Sequence, residues 1–343
     1  MSNQKMRFAI VGCGVISPFH AKSIVANEKA ELVAVVDVIE EKAKKLAEEY
    51  NVPYVYTSYE EMLKRDDIDV VNVCVPSGLH AEVAIAAARA GKHVFCEKPL
   101  DVTLEKMDAM IQAVKENNVK MGVVYQRRTF PAAIAARKAI QEGKLGKLVL
   151  GDAYLKYYRD QAYYNSAGWR GTWELDGGGA LMNQGVHGID LIQWMVGEVE
   201  SVFARSAALV RDIEVEDTAV AVLKYKNGAF GVIQGTTSVY PGMETRFEIH
   251  GEKGTIIFTD SGIQEWKFID SNETSPEVEG TLAPSSDPRN ISSNGHYILI
   301  DDMIQAIRED RDPMVTGEEA SKAVKLILAI YESARTGKEV KLS

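Results

Sequence analysis

Two short stretches carry groups that can hold or move a proton. GKHVFCEKPL, residues 91–100, sets Glu97, Lys98 and Pro99 directly after an apolar run of strand character. GGGALMNQGVHGIDLIQW, residues 177–194, has a helical pattern in which Asn183 and His187 stand four residues apart and so share a face. Asp190 follows on the next turn, and Asp176, just before the glycines, is placed to cap the helix. An ammonium and an imidazole can exchange a proton; an amide can only hydrogen-bond. A lone surface lysine or helical histidine is ordinary, so the elements that position them decide what these groups mean.

The first 125 residues alternate short apolar runs with helical patterns. RFAIVG, ELVAVVD, VVNVCV, KHVFC and VKMGVV have strand length, and amphipathic or alanine-rich segments separate them. Apolar strands parted by helices predict a parallel sheet covered on both faces, a doubly wound α/β domain. After about residue 125 the texture changes. A helix near 131–146 leads into a tyrosine-rich stretch and then the glycine-rich helix. Alternating runs between 199 and 270, with turns at Asn227-Gly228 and at 251–254, predict a largely antiparallel sheet. Residues 271–294 are polar and proline-bearing and predict a surface loop, and helices near 296–310 and 317–336 close the chain. The expected division is 1–125 and 126–343, the second part an α+β domain whose C-terminal helix is able to pack back on the first.

Loops outside the carboxyl ends of parallel strands line the ligand crevice of such a sheet. VGCGVIS follows the first strand. Gly12 permits a tight turn, Gly14 lets backbone approach a pyrophosphate, and Val15 and Ile16 complete the expected contact. Ser17 stands where the third glycine of GxGxxG is usual and is placed to cap the next helix, with Pro18 in its first turn. The second strand ends at Asp37, twenty residues on, where a carboxylate can hydrogen-bond ribose hydroxyls and repel a 2′-phosphate. NAD is therefore expected over NADP. Pro76, Ser77 and His80 in VCVPSGLHAE, and Glu97 and Lys98, fall at later strand ends and join the cofactor set; Ser77 serves equally as a helix cap.

Bulk properties narrow the partners. The chain has 343 residues, a net charge of −10 and no basic block, which argues against nucleic acid or anionic membrane. No apolar segment is long enough to span a bilayer, and the start lacks signal-peptide architecture. Cys13, Cys74 and Cys96 are too few and scattered for a disulfide framework or zinc site; reduced thiols, a cytoplasmic setting and no metal are expected.

VGCGVIS with Asp37, VPSGLHAEVAIAAARAGKHVFCEKPL, LDGGGALMNQGVHGIDLIQWMVG and the ending VTGEEASKAVKLILAIYESARTGKEVKL together resemble the glucose–fructose oxidoreductase / inositol dehydrogenase (Gfo/Idh/MocA) family over essentially the whole chain. The resemblance implies a Rossmann domain, a second domain with an open sheet that packs against a partner subunit in a dimer or tetramer, and a nicotinamide cofactor. It implies a catalytic lysine, here Lys98, often followed by a cis proline peptide. It also points to His187 as the second proton-transfer group. Family members often carry aspartate where this chain has Asn183, which is assigned to substrate positioning. The expected activity is NAD-dependent oxidation of a secondary hydroxyl of a sugar, cyclitol or sugar derivative. An NAD-dependent glycosidase and a non-catalytic sugar- or NAD-sensing regulator are the alternatives.

Residues 157–176, YYRDQAYYNSAGWRGTWELD, bundle aromatics and arginines suited to a sugar bearing an anion. Tyr158, Arg159, Trp169 and Arg170 are the substrate candidates there, joined by Gln126 and Arg128 after the sixth strand and by Asn183 and His187. Within the family, these words are similar to dehydrogenases that oxidise C3 of UDP-N-acetylglucosaminuronic acid.

Overall fold

The computed structural model describes residues 4–269, 271–278 and 294–342. The strands are β1 (Met6–Val11), β2 (Ala30–Val36), β3 (Tyr54–Tyr56), β4 (Val70–Val73), β5 (His93–Cys96), β6 (Met121–Val123), β7 (Leu148–Lys156), β8 (Val199–Ala207), β9 (Thr218–Tyr225), β10 (Phe230–Thr236), β11 (Arg246–Gly251), β12 (Gly254–Thr259), β13 (Gly262–Phe268) and β14 (Val340–Lys341). The helices are α1 (Ser17–Ala26), α2 (Glu40–Tyr50), α3 (Tyr59–Leu63), α4 (His80–Arg89), α5 (Leu104–Glu116), α6 (Pro131–Gln141), α7 (Gln161–Asn165), α8 (Val186–Val196), α9 (Asn294–Glu309) and α10 (Gly317–Thr336).

The chain divides into two compact units. The first runs to Gln126 and takes back a C-terminal segment ending at Ser321; the second holds the rest, so the boundary falls inside α10. In the first unit six strands form a parallel sheet in the order β3-β2-β1-β4-β5-β6. The order reverses between β1 and β4, the switch point at which such sheets bind ligands. Every side chain of β4 is buried, as a strand covered on both faces requires. One face is closed by α9, whose Leu299, Ile300, Met303 and Ile304 pack with Phe8, Ile10 and Phe95.

The second unit is built on an eight-stranded sheet, β13-β12-β11-β7-β10-β9-β8-β14. Only β7–β10 pairs in parallel; the other neighbours are antiparallel. Inward residues of β9 (Ala219, Ala221, Leu223, Tyr225) are buried while Val220 and Val222 are exposed, the alternation of a sheet with one covered face. On the covered face α8 lies against β7. Gly188 makes that approach possible, because a Cβ there would stand 2.3 Å from Leu155 Cδ2.

Three local expectations are corrected. Ser17 does not cap α1: it lies inside the helix and its Oγ donates to Gly14 O at 2.8 Å, the cap position being Ile16 with no side-chain cap. Residues 177–194 are not one α-helix, since Ala180–Gly185 form a π-turn before α8, which places Asn183 in the π-turn and His187 in the α-helix. Asp176 does not cap it; the carboxylate of Glu216 does. Of the predicted surface loop, 271–278 are without regular structure and 279–293 lie outside the described residues.

Candidate active site

In the first unit, β1 runs into the turn Gly12–Ile16. Gly12 has φ +96°, and a Cβ on it would stand 2.5 Å from Cys74 O, so only glycine closes this turn. A Cβ at Gly14 would meet nothing within 4 Å, which leaves open space over the N-terminal end of α1. That combination fits a dinucleotide pyrophosphate. The Asp37 carboxylate accepts from Cys13 N and Ile39 N, both at 2.8 Å, and so is fixed at the end of β2 as a ribose acceptor must be. Val15 is exposed and Ile16 half-buried on the same turn.

The loop after β4 is tied to the loop after β5. The buried His80 ring lies between Pro99 O (2.8 Å) and Val75 O (3.0 Å). Ser77 is buried in a short 3-10 turn that follows Pro76, and the Lys98–Pro99 peptide is cis. Glu97 is buried while Lys98 is half-buried. Burial alone raises the Glu97 carboxyl, but the facing His20 and His296 outweigh it and hold it well below the ordinary carboxylate range. Burial likewise lowers His20, so the pair is a carboxylate with a neutral imidazole. Gln126 closes the unit, buried. The three cysteines are buried free thiols.

In the second unit the substrate candidates are linked through side chains. Arg159 Nη2 donates to Gln184 Oε1 at 2.9 Å, and Gln184 Nε2 donates to Asn183 Oδ1 at 2.8 Å and to the Tyr163 hydroxyl at 2.9 Å. Asn183 Nδ2 donates to Asp176 Oδ1, while Asp176 Oδ2 accepts from Gly171 N at 2.8 Å. The guanidinium carbons of Arg159 and Arg170 lie 5.5 and 4.3 Å from the Tyr163 ring centre, and that of Arg170 lies 4.6 Å from the Trp169 ring. Two cations over one phenol make a planar, positive, donor-rich patch. Tyr158 stands apart, edge-on to Tyr240 with Arg211 over its ring.

His187 is buried at the start of α8. The turn before it is held by Glu216, whose carboxylate accepts from Gly179 N (3.0 Å), Leu181 N (2.8 Å) and the Tyr331 hydroxyl (2.9 Å). Burial pushes the Glu216 carboxyl up to about 7 in spite of these donors. Arg128, expected at the substrate, is buried and donates to both oxygens of Asp190. His20, His296, Gln184 and Glu216 were not anticipated from sequence; their only local signal is a polar residue on an apolar face.

Comparison with known proteins agrees with this architecture. Residues 6–125 match the model of the oxidoreductase family with an NAD-binding Rossmann fold, and 133–257 match the GFO/IDH/MocA C-terminal domain. The chain belongs to the Gfo/Idh/MocA oxidoreductase family. It is an NAD-dependent oxidoreductase of CH–OH groups. It is 30% identical to the myo-inositol 2-dehydrogenase of Thermotoga maritima, with 98% of each chain aligned. Among solved structures it is similar to the WlbA dehydrogenase of Bordetella pertussis in complex with NADH and UDP-GlcNAcA, at 37% identity, TM-score 0.88 and 99% coverage of both chains. It is also similar to a levoglucosan dehydrogenase in complex with NADH and levoglucosan, at 26% identity, TM-score 0.87 and 99% and 100% coverage. No helix among the described residues is long and apolar enough to cross a membrane.

Proposed function

We propose that the chain oxidises a secondary hydroxyl of a nucleotide sugar bearing a carboxylate, a substrate of the UDP-N-acetylglucosaminuronate kind. The observation that carries this reading is the pair of guanidiniums, Arg159 and Arg170, held on Tyr163 and joined through Gln184 to Asn183. Arginine binds carboxylate or phosphate bidentately, and an uncharged cyclitol has no use for two such groups. The likeness to the WlbA dehydrogenase supports the same class.

In this reading NAD, when bound, supplies the acceptor for the carbinol hydrogen and its electron pair. Gly12, Gly14, Val15, Ile16 and Asp37 hold the dinucleotide, with Pro76, Ser77, His80 and Glu97 lining the same strand ends. Lys98 Nζ or a ring nitrogen of His187 takes the hydroxyl proton, and Asn183 holds the substrate by its amide. Proton transfer by a positioned group contributes about 10²–10⁴-fold. Lys98→Ala and His187→Ala should each lower kcat by about that factor, with NAD binding retained. We assign Arg128 to holding Asp190 rather than to substrate. Subunits are proposed to associate through the open face of the second sheet, as a dimer or tetramer.

The test is a substrate screen that reads both absorbance of NADH and the keto sugar by mass spectrometry, so that a retained cofactor does not hide turnover. UDP-N-acetylglucosaminuronate should be oxidised, UDP-N-acetylglucosamine far more slowly, and myo-inositol hardly at all. Equal rates with and without the carboxylate would overturn the substrate assignment. Release of an aglycone with no net NADH would favour the glycosidase alternative.

A further inference from the structure

Two histidines from opposite ends of the sequence meet on one buried carboxylate. His20 Nε2 lies 2.9 Å and His296 Nε2 lies 3.3 Å from the same oxygen, Glu97 Oε1. Both histidines are fully buried, and their rings pack edge-on at 5.2 Å. Behind them Asn72 Nδ2 stands 2.9 Å from His20 Nδ1. The amide donates there, so the His20 proton sits on Nε2 and points at Glu97. The other oxygen, Glu97 Oε2, accepts from the backbone N–H of Lys98 at 3.1 Å. One residue further, Pro99 O faces His80 Nδ1 at 2.8 Å. The backbone on each side of Lys98 is therefore tied to a buried imidazole system.

We propose that His20 and His296 are positioning residues: through Glu97 they fix the backbone from which the Lys98 side-chain amine acts. The inference rests on the reading of Lys98 as a group that moves the alcohol proton. A buried carboxylate is stable only with its hydrogen bonds made. Two N–H donors face Oε1 while Oε2 accepts from the Lys98 backbone N–H, which orients the carboxylate and with it the Lys98 amide. His296 belongs to α9, a segment that returns to the first unit some 200 residues after Glu97 and delivers this donor. The same three side chains have donor atoms within 4.8 Å of one another and could hold a metal ion. The Asn72 amide donating to His20, and Oε1 already within hydrogen-bond reach of both rings, favour protons there.

The experiment uses full-length enzyme whose lysines carry ¹³C-methyl groups, with the Lys98 resonance assigned by its loss in Lys98→Arg. Glutamine can place an N–H near the position of His Nε2, while leucine cannot. His20→Leu and His296→Leu should shift or broaden the Lys98 resonance, leave remote lysines unmoved and keep NADH affinity within about threefold. They should also lower kcat at least tenfold with UDP-N-acetylglucosaminuronate, whereas His296→Gln should recover most of that loss. If the leucine variants do not fold, Glu97→Gln is read by the Lys98 resonance against the remote lysines alone. A Lys98 resonance unmoved in folded variants would overturn the inference, as would one equivalent of transition metal per chain that is lost in His296→Gln. Retained turnover in Lys98→Ala defeats the functional reading instead, and the resonance result stands apart from it.

Discussion

Arg128 grips Asp190 with two hydrogen bonds, from Nε at 2.8 Å and from Nη2 at 2.6 Å, and both side chains are about 95% shielded from solvent. The pair joins the turn after the first unit to α8, one helical turn beyond His187. Its guanidinium also lies 5.4 Å from the Trp194 ring. The attraction offsets the desolvation of two charges only while both are present. Arg128→Met should therefore destabilise the fold by about 3–5 kcal/mol, and Asp190→Leu by a similar amount, because each removes one partner of a buried, doubly hydrogen-bonded ion pair. The double variant should regain most of the loss. Urea unfolding of the four proteins tests this; additive losses in the double variant contradict it.

Asp37 illustrates how much one carboxylate is asked to do. It accepts from Cys13 N and Ile39 N, so it shapes the glycine turn as well as serving as the proposed ribose acceptor. Asp37→Ser should weaken NADH binding by about tenfold, since each lost hydrogen bond to a charged group amounts to roughly 1.5–3 kcal/mol before water substitutes for it. The preference over NADPH should narrow at the same time, because the repelling charge is gone. Fluorescence titration with both nucleotides measures the two effects, and an unchanged preference would count against the assignment.

Asn183 is an amide for a reason visible beside it. It donates to Asp176 Oδ1 and accepts from Gln184 Nε2, which needs one donor and one acceptor on the same side chain. Asn183→Asp would set two carboxylates in contact, and one of them would hold a proton until the pH is high. The variant should lose stability relative to the natural protein as pH rises from 5 to 8. Equal thermal unfolding of the two proteins across that range would remove the argument.

Much of this organisation was legible in the sequence because it is local. The parallel sheet followed from apolar runs of strand length, and the tight turn after β1 from Gly12 and Gly14. What escaped was short, interrupted or distant. β3 spans only Tyr54–Tyr56. β7 carries exposed Val149 and Leu150 and a glycine, so its alternation dissolves into the tyrosine-rich stretch. The π-turn at Ala180–Gly185 shifts the register without changing the apolar pattern. Glu216 and His296 take their meaning from partners 35 and 199 residues away, separations to which no periodicity responds.

The Glu216 carboxyl links pH to the stability of the turn before His187. Burial raises it to about 7 from an ordinary value of 4.5, so the folded chain holds a proton that the unfolded chain has released across that interval. Stability from this group is then complete at acid pH and declines as pH rises from about 4.5 to 7. The whole effect is on the order of 3 kcal/mol. Glu216→Gln, which cannot titrate, should have a flatter dependence than the natural protein between pH 5 and 8. Parallel curves for the two proteins would show that the carboxyl titrates as an exposed one does.

The outward face of the second sheet carries the last expectation. Phe203 is 41% exposed and Val222 54%, directly paired across β8 and β9; Leu150 and Phe230 are 42% and 55% exposed and paired across β7 and β10. Large apolar side chains adjacent on an open sheet are unfavourable in water and mark a surface that another protein covers. A second copy is the occupant proposed here, because an isologous contact presents each stripe to its own equivalent. Val222→Asp with Phe230→Asp would bring carboxylates face to face across that contact. Light scattering should then find a lower mass than for the natural protein, with the circular dichroism of the folded chain preserved. A natural protein that runs as a monomer at micromolar concentration would leave the stripe without this partner.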